Sequence, residues 1–149
     1  MYSPIIREIN RNDLPQLLEL YKYLGENPVP QDVDEIDRTW KQIRQFSGYH
    51  ILGVWVGERL VSSCTLLIIP NLTHELRPYA LVENVVTHPD FREKGLGSSV
   101  LSAAREIAQN ENCYKIMLMT GSKKESTHQF YQQAGYSADL KTGYCQKLK

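Results

Sequence analysis

The sequence predicts a mixed α/β domain in which helices cover both faces of one central sheet. Three observations support this class. Two amphipathic repeats come early, a β-rich hairpin and a long strand follow, and strand, helix, strand, helix and strand signals alternate to the end. The 149 residues suit a single domain covering 1–149, and the 42% hydrophobic content is enough to bury a core.

The first third of the chain contains one short strand candidate and two helices. Ile5 to Ile9 is the strand candidate; Asn12 or Asp13 can cap the first helix, and Pro15 suits its first turn. Apolar side chains repeat at helical spacing up to Gly25: Leu14, Leu17, Leu18, Tyr21 and Leu24. The second helix is marked by Val33, Ile36, Trp40 and Ile43 and ends near Gly48.

The middle of the chain is rich in β-formers. His50 to Val56 and Arg59 to Ile69 form a predicted hairpin, because Gly57-Glu58 has glycine at the position that a type II′ turn requires. Residues 71–78 are polar and are predicted to be a loop, and Tyr79 to Thr87 is a third long strand.

The last third alternates helices and strands. A helix with one apolar face is predicted from Leu96 to Glu111, and Tyr114 to Thr120 is apolar and short enough to be a buried strand. Ser122 and Glu125 match a capping box, which predicts a helix that runs to Ala134 and stops at Gly135. Tyr136 to Lys147 is expected to supply one or two closing strands.

Composition excludes several classes of protein. The formal net charge is zero, so we expect no nucleic-acid partner and no anionic membrane surface as partner. Three well-separated cysteines give neither a disulfide framework nor a metal pair, and no metal site is expected. This cysteine pattern best fits a reducing cytosol, so the expected location is the cytoplasm. Residues 1–10 resemble neither a signal peptide nor a membrane span.

A glycine loop between the third strand and the following helix is the most informative segment. It runs Arg92-Glu93-Lys94-Gly95-Leu96-Gly97. A helix start offers free N–H groups at the positive end of its dipole, and glycine lets a phosphate come close to the main chain. The spacing fits neither a nucleotide P-loop nor a dinucleotide fingerprint. From the loop alone, phosphate binding and a tight turn that needs glycine for its backbone shape both stay open.

The surroundings of the loop resemble one known family. Arg92 to Gly97 is similar to the Arg/Gln-x-x-Gly-x-Gly/Ala signature of the GNAT superfamily of acetyl-CoA-dependent N-acetyltransferases. Phe130 to Tyr136 is similar to the later Phe/Leu-Tyr-x-x-x-Gly-Phe/Tyr segment of that family. The resemblance is close from Leu81 to Tyr136, about half the chain. It implies a central, mostly antiparallel sheet of six to seven strands that a V-shaped gap splits.

The resemblance also implies how acetyl-CoA is held, with no metal. The pyrophosphate would accept from main-chain N–H groups of Lys94, Gly95, Leu96, Gly97 and Ser98. The pantetheine arm would pair with Val85, Val86 and Thr87, and a bulge there would direct the N–H of Val85 or Val86 at the thioester oxygen. Arg92 could contact phosphate or brace the loop. Lys124 stands where many members have a coenzyme-contacting asparagine, so it either reaches a phosphate or is solvated.

Two side chains are candidates for proton transfer. Glu83 lies within an apolar strand, where a carboxylate costs folding free energy unless it is paired, hydrated or part of a site. It is the candidate base and would accept the amine proton directly or through water. A solvated strand residue is the alternative. Tyr131 occupies the place of the family tyrosine near the coenzyme sulfur and is the candidate acid; a core aromatic is the alternative.

The predicted acceptor is the primary amine of a small molecule, acetylated by direct attack in a ternary complex. The first two helices and the 71–78 loop would build its pocket. Candidate lining residues are Tyr21, Tyr23, Glu26, Trp40 and Glu83. A protein or peptide acceptor, and a non-catalytic coenzyme A sensor, are the open alternatives. Members of the family are often dimers, so the resemblance allows a homodimer, although no residue here requires one.

Overall fold

The computed structural model describes residues 3–25 and 27–149. Its centre is one five-stranded sheet in the order β1-β2-β3-β4-β5, with β1 to β4 antiparallel and β5 parallel to β4. The strands are β1 Ile5–Glu8, β2 Tyr49–Val56, β3 Arg59–Ile69, β4 Tyr79–Thr87 and β5 Ile116–Met117. The helices are α1 Leu14–Leu20, α2 Val33–Gln45, α3 Leu96–Asn110 and α4 Glu125–Gln133.

The predicted mixed α/β class is confirmed, but the predicted strand number of six to seven is wrong. The described residues form five strands. Within the 114–120 run only Ile116–Met117 pairs with β4, because the chain leaves β4 after two residue pairs. No closing strand forms in residues 136–147 as described, since that backbone finds no ladder partner.

The helix boundaries follow local chemistry. Pro15 lies in the first turn of α1, and the Asp32 side chain accepts from the N–H groups of Asp34 and Glu35 to cap α2. The predicted capping box at Ser122 is wrong: α4 has Lys124 at its N-cap and no side-chain cap. Ser122 Oγ instead accepts from the Lys124 N–H, just before the helix begins.

The predicted hairpin is confirmed. β2 and β3 flank Gly57 and Glu58. Gly57 has φ 62° and Glu58 is not among the residues with positive φ, which matches a type II′ turn. The register of this pair shifts between Val54 and Trp55, where Val61 is the extra residue.

Helices cover both faces of the sheet, as predicted. α3 and α4 lie on one face over a core that includes Leu52, Val54, Leu66 and Val82. α1 and α2 lie on the other face. Their core comprises Ile9, Leu14, Leu17, Leu20, Ile51, Trp55, Leu60 and Val86, with Ile36, Trp40 and Ile43 packed against it. The central strands of the sheet are therefore buried on both sides.

A bulge in β4 interrupts that regularity. Ser63 pairs with Val86 and Thr65 pairs with Glu83, so Asn84 and Val85 together oppose Cys64. Asn84 adopts the left-handed region with φ 51°, which asparagine tolerates better than most residues. The extra residue reverses the alternation: Val82 faces α3 and Val86 faces α1.

Candidate active site

The glycine loop forms the start of α3 as predicted. Gly95 is the N-cap residue and has φ 77°, a conformation that a side chain would strain. Its carbonyl accepts from both the N–H and the Oγ of Ser99. The helix therefore begins at Leu96, which is buried, and its first turn faces solvent at Ser98.

The main-chain amides at the start of α3 are free. Arg92 and Glu93 form a hydrogen-bonded turn, and after it the N–H groups of 95–98 donate to no backbone or side-chain acceptor within the described residues, whereas the Ser99 N–H is bonded. Four consecutive free donors at a helix start, on a loop that is mostly exposed, form a cradle for an anion.

Close packing holds the loop against the end of β4. A Cβ atom at Gly97 would lie 3.1 Å from Phe130 Cζ and 3.3 Å from Thr87 Oγ1, so a side chain would press on both neighbours. Thr87 Oγ1 is 2.8 Å from Ser62 Oγ, and Arg92 Nε donates to the Thr87 carbonyl at 3.1 Å. Arg92 thus braces the loop in this structure, and Lys94 lies exposed with Nζ 5.3 Å from the Phe91 ring.

β4 and β5 part directly above the loop. Their ladder comprises the pairs Ala80–Ile116 and Leu81–Met117, and in the described chain it ends there. From Val82 to Thr87, β4 keeps β3 on one edge, and no strand of the described residues lies on the other. The regular pairing therefore ends before Val85 and Val86, on the side of β4 where the family resemblance implies a V-shaped gap.

Glu83 sits at the mouth of this opening. It is exposed, it pairs with Thr65 across the ladder, and it immediately precedes the left-handed Asn84. Its negative charge adds to burial in raising the pKa of Tyr49 on β2. Glu83 is thus a solvent-accessible carboxylate beside a bulge, with a phenol nearby.

A polar cluster beneath Glu83 on the α1 face was not predicted as a unit. Tyr21 is partly buried beside the Thr65 and Asn84 side chains, and burial raises its pKa to about 12. Thr65 is 2% exposed, and its Oγ1 has no hydrogen-bond partner among the described residues. Tyr21, Tyr49, Thr65 and Asn84 therefore line a polar floor below the carboxylate.

Tyr131 lies on the α3 face of the same opening. Its ring is half-buried, 5.0 Å from the Phe130 ring and 6.3 Å from the Tyr136 ring. Burial first, and the nearby Cys64 thiol second, raise the pKa of Tyr131. Cys64 is the residue opposite the β4 bulge, so Tyr131 stands near the bulge on the side away from Glu83.

The remaining predicted residues are more scattered. Tyr23 is 44% exposed, with its hydroxyl 3.3 Å from His88 Nε2 at the end of β4. Trp40 packs on the α1-face core beneath Arg44. Lys124 is exposed, and its ammonium forms no ion pair in the part of the chain that is described. Glu26 lies outside the described residues.

The structure adds two residues that the sequence did not single out. Tyr49 and Thr65 come next to Glu83 only through the register of β2, β3 and β4, and the bulge fixes that register. A polar threonine inside the apolar β3 run was the available signal, because a buried hydroxyl without a use is costly.

Two kinds of feature are absent from the described residues 3–25 and 27–149. No helix there combines the length and the apolar character needed to cross a bilayer. No group of three or more histidine, cysteine, aspartate or glutamate side chains there is arranged to hold a metal ion.

Comparison with known proteins gives consistent matches. The model of the Acetyltransferase (GNAT) family matches residues 12–136. A glucosamine 6-phosphate N-acetyltransferase from Trypanosoma brucei brucei is 29% identical over 136 residues, which are 89% of this chain and 88% of the relative.

Solved structures agree. One from Agrobacterium tumefaciens str. C58, described provisionally as an acetyltransferase, superposes with a TM-score of 0.90 at 37% identity and covers 97% of this chain and 99% of its own. Glucosamine-6-phosphate N-acetyltransferase from Arabidopsis thaliana superposes with a TM-score of 0.85 at 21% identity, with 98% of each chain covered, which shows the shared fold.

Proposed function

The chain belongs to the GNAT acetyltransferase family, and on that basis we propose that it moves an acetyl group from acetyl-CoA to the primary amine of a small molecule. The run of free amides at 95–98 is the observation that carries the proposal. A diphosphate accepting several charge-assisted hydrogen bonds at ~1.5–3 kcal/mol each would be anchored there. The opening beside Val85 and Val86 leaves an unpaired strand edge for an amide-bearing arm.

Residues on the two sides of the opening have different roles in the proposed reaction. When bound, acetyl-CoA supplies a thioester carbonyl that a neutral amine can attack. Glu83 accepts the amine proton, since alkylamines with a pKa near ~10.4 are mostly protonated at neutral pH. A main-chain N–H of the bulge, at Val85 or Val86, stabilises negative charge on the carbonyl oxygen. Tyr131 donates a proton to the departing thiolate.

The polar floor supports the acceptor side. Tyr21 and Thr65 present a phenol and an unpartnered hydroxyl below Glu83, which suits a polar amine better than an apolar one. Lining roles for Tyr23, Trp40 and Glu26, and a phosphate contact by Lys124, stay predictions. The relative from Trypanosoma brucei brucei is named for glucosamine 6-phosphate, so an amino-sugar phosphate is the first acceptor to test.

The test is an acceptor screen that detects free thiol released from acetyl-CoA, run beside a coenzyme A thermal-shift assay. We expect a thermal shift, together with thiol release on glucosamine 6-phosphate or another small amine. A thermal shift without release on any amine would favour the sensor alternative. Release on peptide N-termini or protein lysines alone would favour the protein acceptor.

The variant Glu83→Gln tests the base. It keeps the side-chain shape and removes the proton acceptor, so we expect kcat to fall by roughly 10²-fold or more near neutral pH. Part of the loss should return at higher pH, where more of the amine is already neutral. Glu58→Gln, an exposed change in the β2–β3 turn, is the matched control and should leave kcat unchanged. Equal kcat values for Glu83→Gln and the unaltered enzyme would eliminate this role.

A further inference from the structure

One row of apolar side chains crosses four strands on the face of the sheet that carries Glu83. The register aligns its members across the ladders, and these are Tyr49, Leu67, Leu81 and Met117. None of them is fully buried, and Met117 is 38% exposed. The helices of the described chain therefore leave this apolar strip partly open to solvent.

Glu83 lies at one end of the apolar strip. Val82 faces α3, so Leu81 and Glu83 on either side of it share the opposite face. They are two residues apart on β4, a rise of ~7 Å. Thr65 pairs with Glu83 across the ladder, and its Oγ1 has no hydrogen-bond partner among the described residues. This end of the strip therefore offers a carboxylate and a hydroxyl, which suit an amine.

Lys115 lies at the other end of the apolar strip. It immediately precedes β5, and its carbonyl accepts from the Ala80 N–H at 3.0 Å. Its Nζ lies 5.6 Å from the centre of the Tyr79 ring and 5.4 Å from that of the Tyr114 ring. Tyr79 shares the face of Leu81, because the two are two residues apart on β4. Lys115 is half-buried, and its ammonium forms no ion pair with any described residue.

Neighbouring contacts hold the chain around Lys115 in place. The His74 ring stacks on the Tyr114 ring at 3.7 Å between centres and an angle of 8°. Two Arg77 nitrogens donate, each at 3.1 Å, to the carbonyls of residues 112–113. The ammonium is thus positioned without a counter-ion from the described chain. A half-buried charge without a partner costs free energy, and an anion supplied by a ligand would offset that cost.

We propose that Lys115 binds an anionic group of the acceptor, a carboxylate or a phosphate, while the amine of the same molecule reaches Glu83 and its middle lies on Leu81 and Met117. This inference rests on the proposed acetyl transfer and narrows its acceptor to amines with an anion at the far end. Four residues of β4 separate Glu83 from Tyr79, a rise of ~13 Å, so α-amino acids are too short to reach both ends.

Paired acceptors test the preference for an anion. In the thiol-release assay, 8-aminooctanoate is compared with 8-aminooctanamide, and glucosamine 6-phosphate with glucosamine. We expect the anionic member of at least one pair to have a KM lower by about tenfold or more at a similar kcat, because it forms a charge-assisted hydrogen bond to the ammonium. The pair with the larger difference identifies the anion as carboxylate or phosphate. Equal KM values within both pairs would overturn the proposal.

The variant Lys115→Met tests the residue, since it removes the charge and keeps an unbranched side chain of similar length. It should raise the KM of the preferred anionic acceptor by about tenfold and leave both kcat and the KM of the neutral partner unchanged. Lys115→Arg should restore most of the preference. Lys41→Met, at an exposed lysine on α2, is the matched control and should change no constant. A preference that survives Lys115→Met would contradict the assignment.

Equilibrium binding separates this inference from acetyl transfer. Isothermal titration of the same four compounds into protein with coenzyme A needs no turnover. Thiol release without a preference for the anion in either assay would overturn the anion site alone. Absence of thiol release from every amine would contradict the transfer. The anion site would then be supported by tighter binding of an anionic member that Lys115→Met abolishes, and overturned by equal binding within both pairs.

Discussion

At the scale of single residues, the proposed catalytic roles belong to two ionisable side chains held in different surroundings on opposite sides of one bulge. Glu83 is exposed at the mouth of the opening, whereas Tyr131 is half-buried. A carboxylate in water is ready to accept a proton, and a phenol with a raised pKa keeps its proton to donate. The division of roles proposed above follows from this difference in solvation.

Tyr131→Phe removes the donated proton and little else. We expect kcat to fall by roughly 10²-fold with a nearly unchanged KM for acetyl-CoA, since the ring remains to fill its space. Steady-state kinetics with a good acceptor measures both constants. Because burial raises the pKa of Tyr131, the alkaline loss of activity from this group should come at a higher pH than it would for a solvent-exposed phenol.

Tyr136→Phe is the control for that variant. The Tyr136 hydroxyl is also buried on this face, and it has no hydrogen-bond partner among the described residues. Its removal should therefore leave kcat unchanged and cost no stability. If Tyr131→Phe kept full turnover while Tyr136→Phe lost it, the acid would have been assigned to the wrong tyrosine.

At the scale of elements, the glycine loop was predictable because its chemistry is local. Strand, glycine and helix signals lie within about 15 residues, and each depends on neighbours in sequence. The N-terminal boundary of α4 was harder to predict from the sequence. The Ser122 hydroxyl accepts from the N–H of Lys124, which precedes the helix, and not from an N–H inside it. The predicted N-cap, Ser122, is two residues before the observed one, Lys124, so the Ser122 side chain stabilises a turn and does not cap the helix.

A larger side chain at Gly97 tests whether the glycine loop holds the coenzyme. A valine there would meet Phe130 and Thr87 with its first carbon and would spread a branched side chain over the free amides. We expect Gly97→Val to raise the KM for acetyl-CoA by at least about tenfold and to reduce the coenzyme A thermal shift. Kinetics and thermal-shift titration check the two effects.

Gly121→Val controls for adding a side chain. A Cβ at Gly121 meets nothing within 4 Å, and its φ is outside the left-handed region, so acetyl-CoA binding should be unaffected. An unchanged KM in Gly97→Val would show that the amides of this loop do not hold the coenzyme. Loss of the cooperative melt in Gly97→Val would call for the smaller Gly97→Ala, where the neighbours need shift by only a few tenths of an ångström.

At the scale of the whole molecule, the sequence predicted the fold class correctly but not the number of strands in the sheet. Residues 114–120 and 136–147 have strand-like composition, yet only Ile116–Met117 is paired. Strand formation needs a partner edge, and the edge is set by long-range topology that composition does not carry. The polar floor was missed for the same reason, since Thr65 meets Glu83 only through the β3–β4 register.

Global stability should show one pH-dependent contribution from the connection between β1 and α1. Two guanidinium nitrogens of Arg7 donate to the Asp13 carboxylate at 2.7 and 3.0 Å, and the Asn10 N–H donates to it at 2.8 Å. The Arg7 bonds chiefly, and the Asn10 bond in addition, lower the pKa of Asp13 against the opposing effect of burial. Asp13 is 8% exposed, so solvent screens this carboxylate only weakly.

Asp13→Asn should lower the free energy of unfolding by about 1–2 kcal/mol at pH 7, because the charge-assisted bonds weaken. The sign of the pH effect follows from linkage. The contribution is fully present above the unfolded pKa near ~3.9 and is lost as pH falls through the lower folded value. Urea unfolding of both proteins between neutral and strongly acidic pH should show that their free energies of unfolding converge at the acid end.

Asp37→Asn, in the exposed Arg11–Asp37 pair, is the control and should lower the free energy of unfolding by less than about 1 kcal/mol at any pH. A constant gap between unaltered protein and Asp13→Asn down to the lowest pH would mean that shape, and not the ionised carboxylate, stabilises this corner.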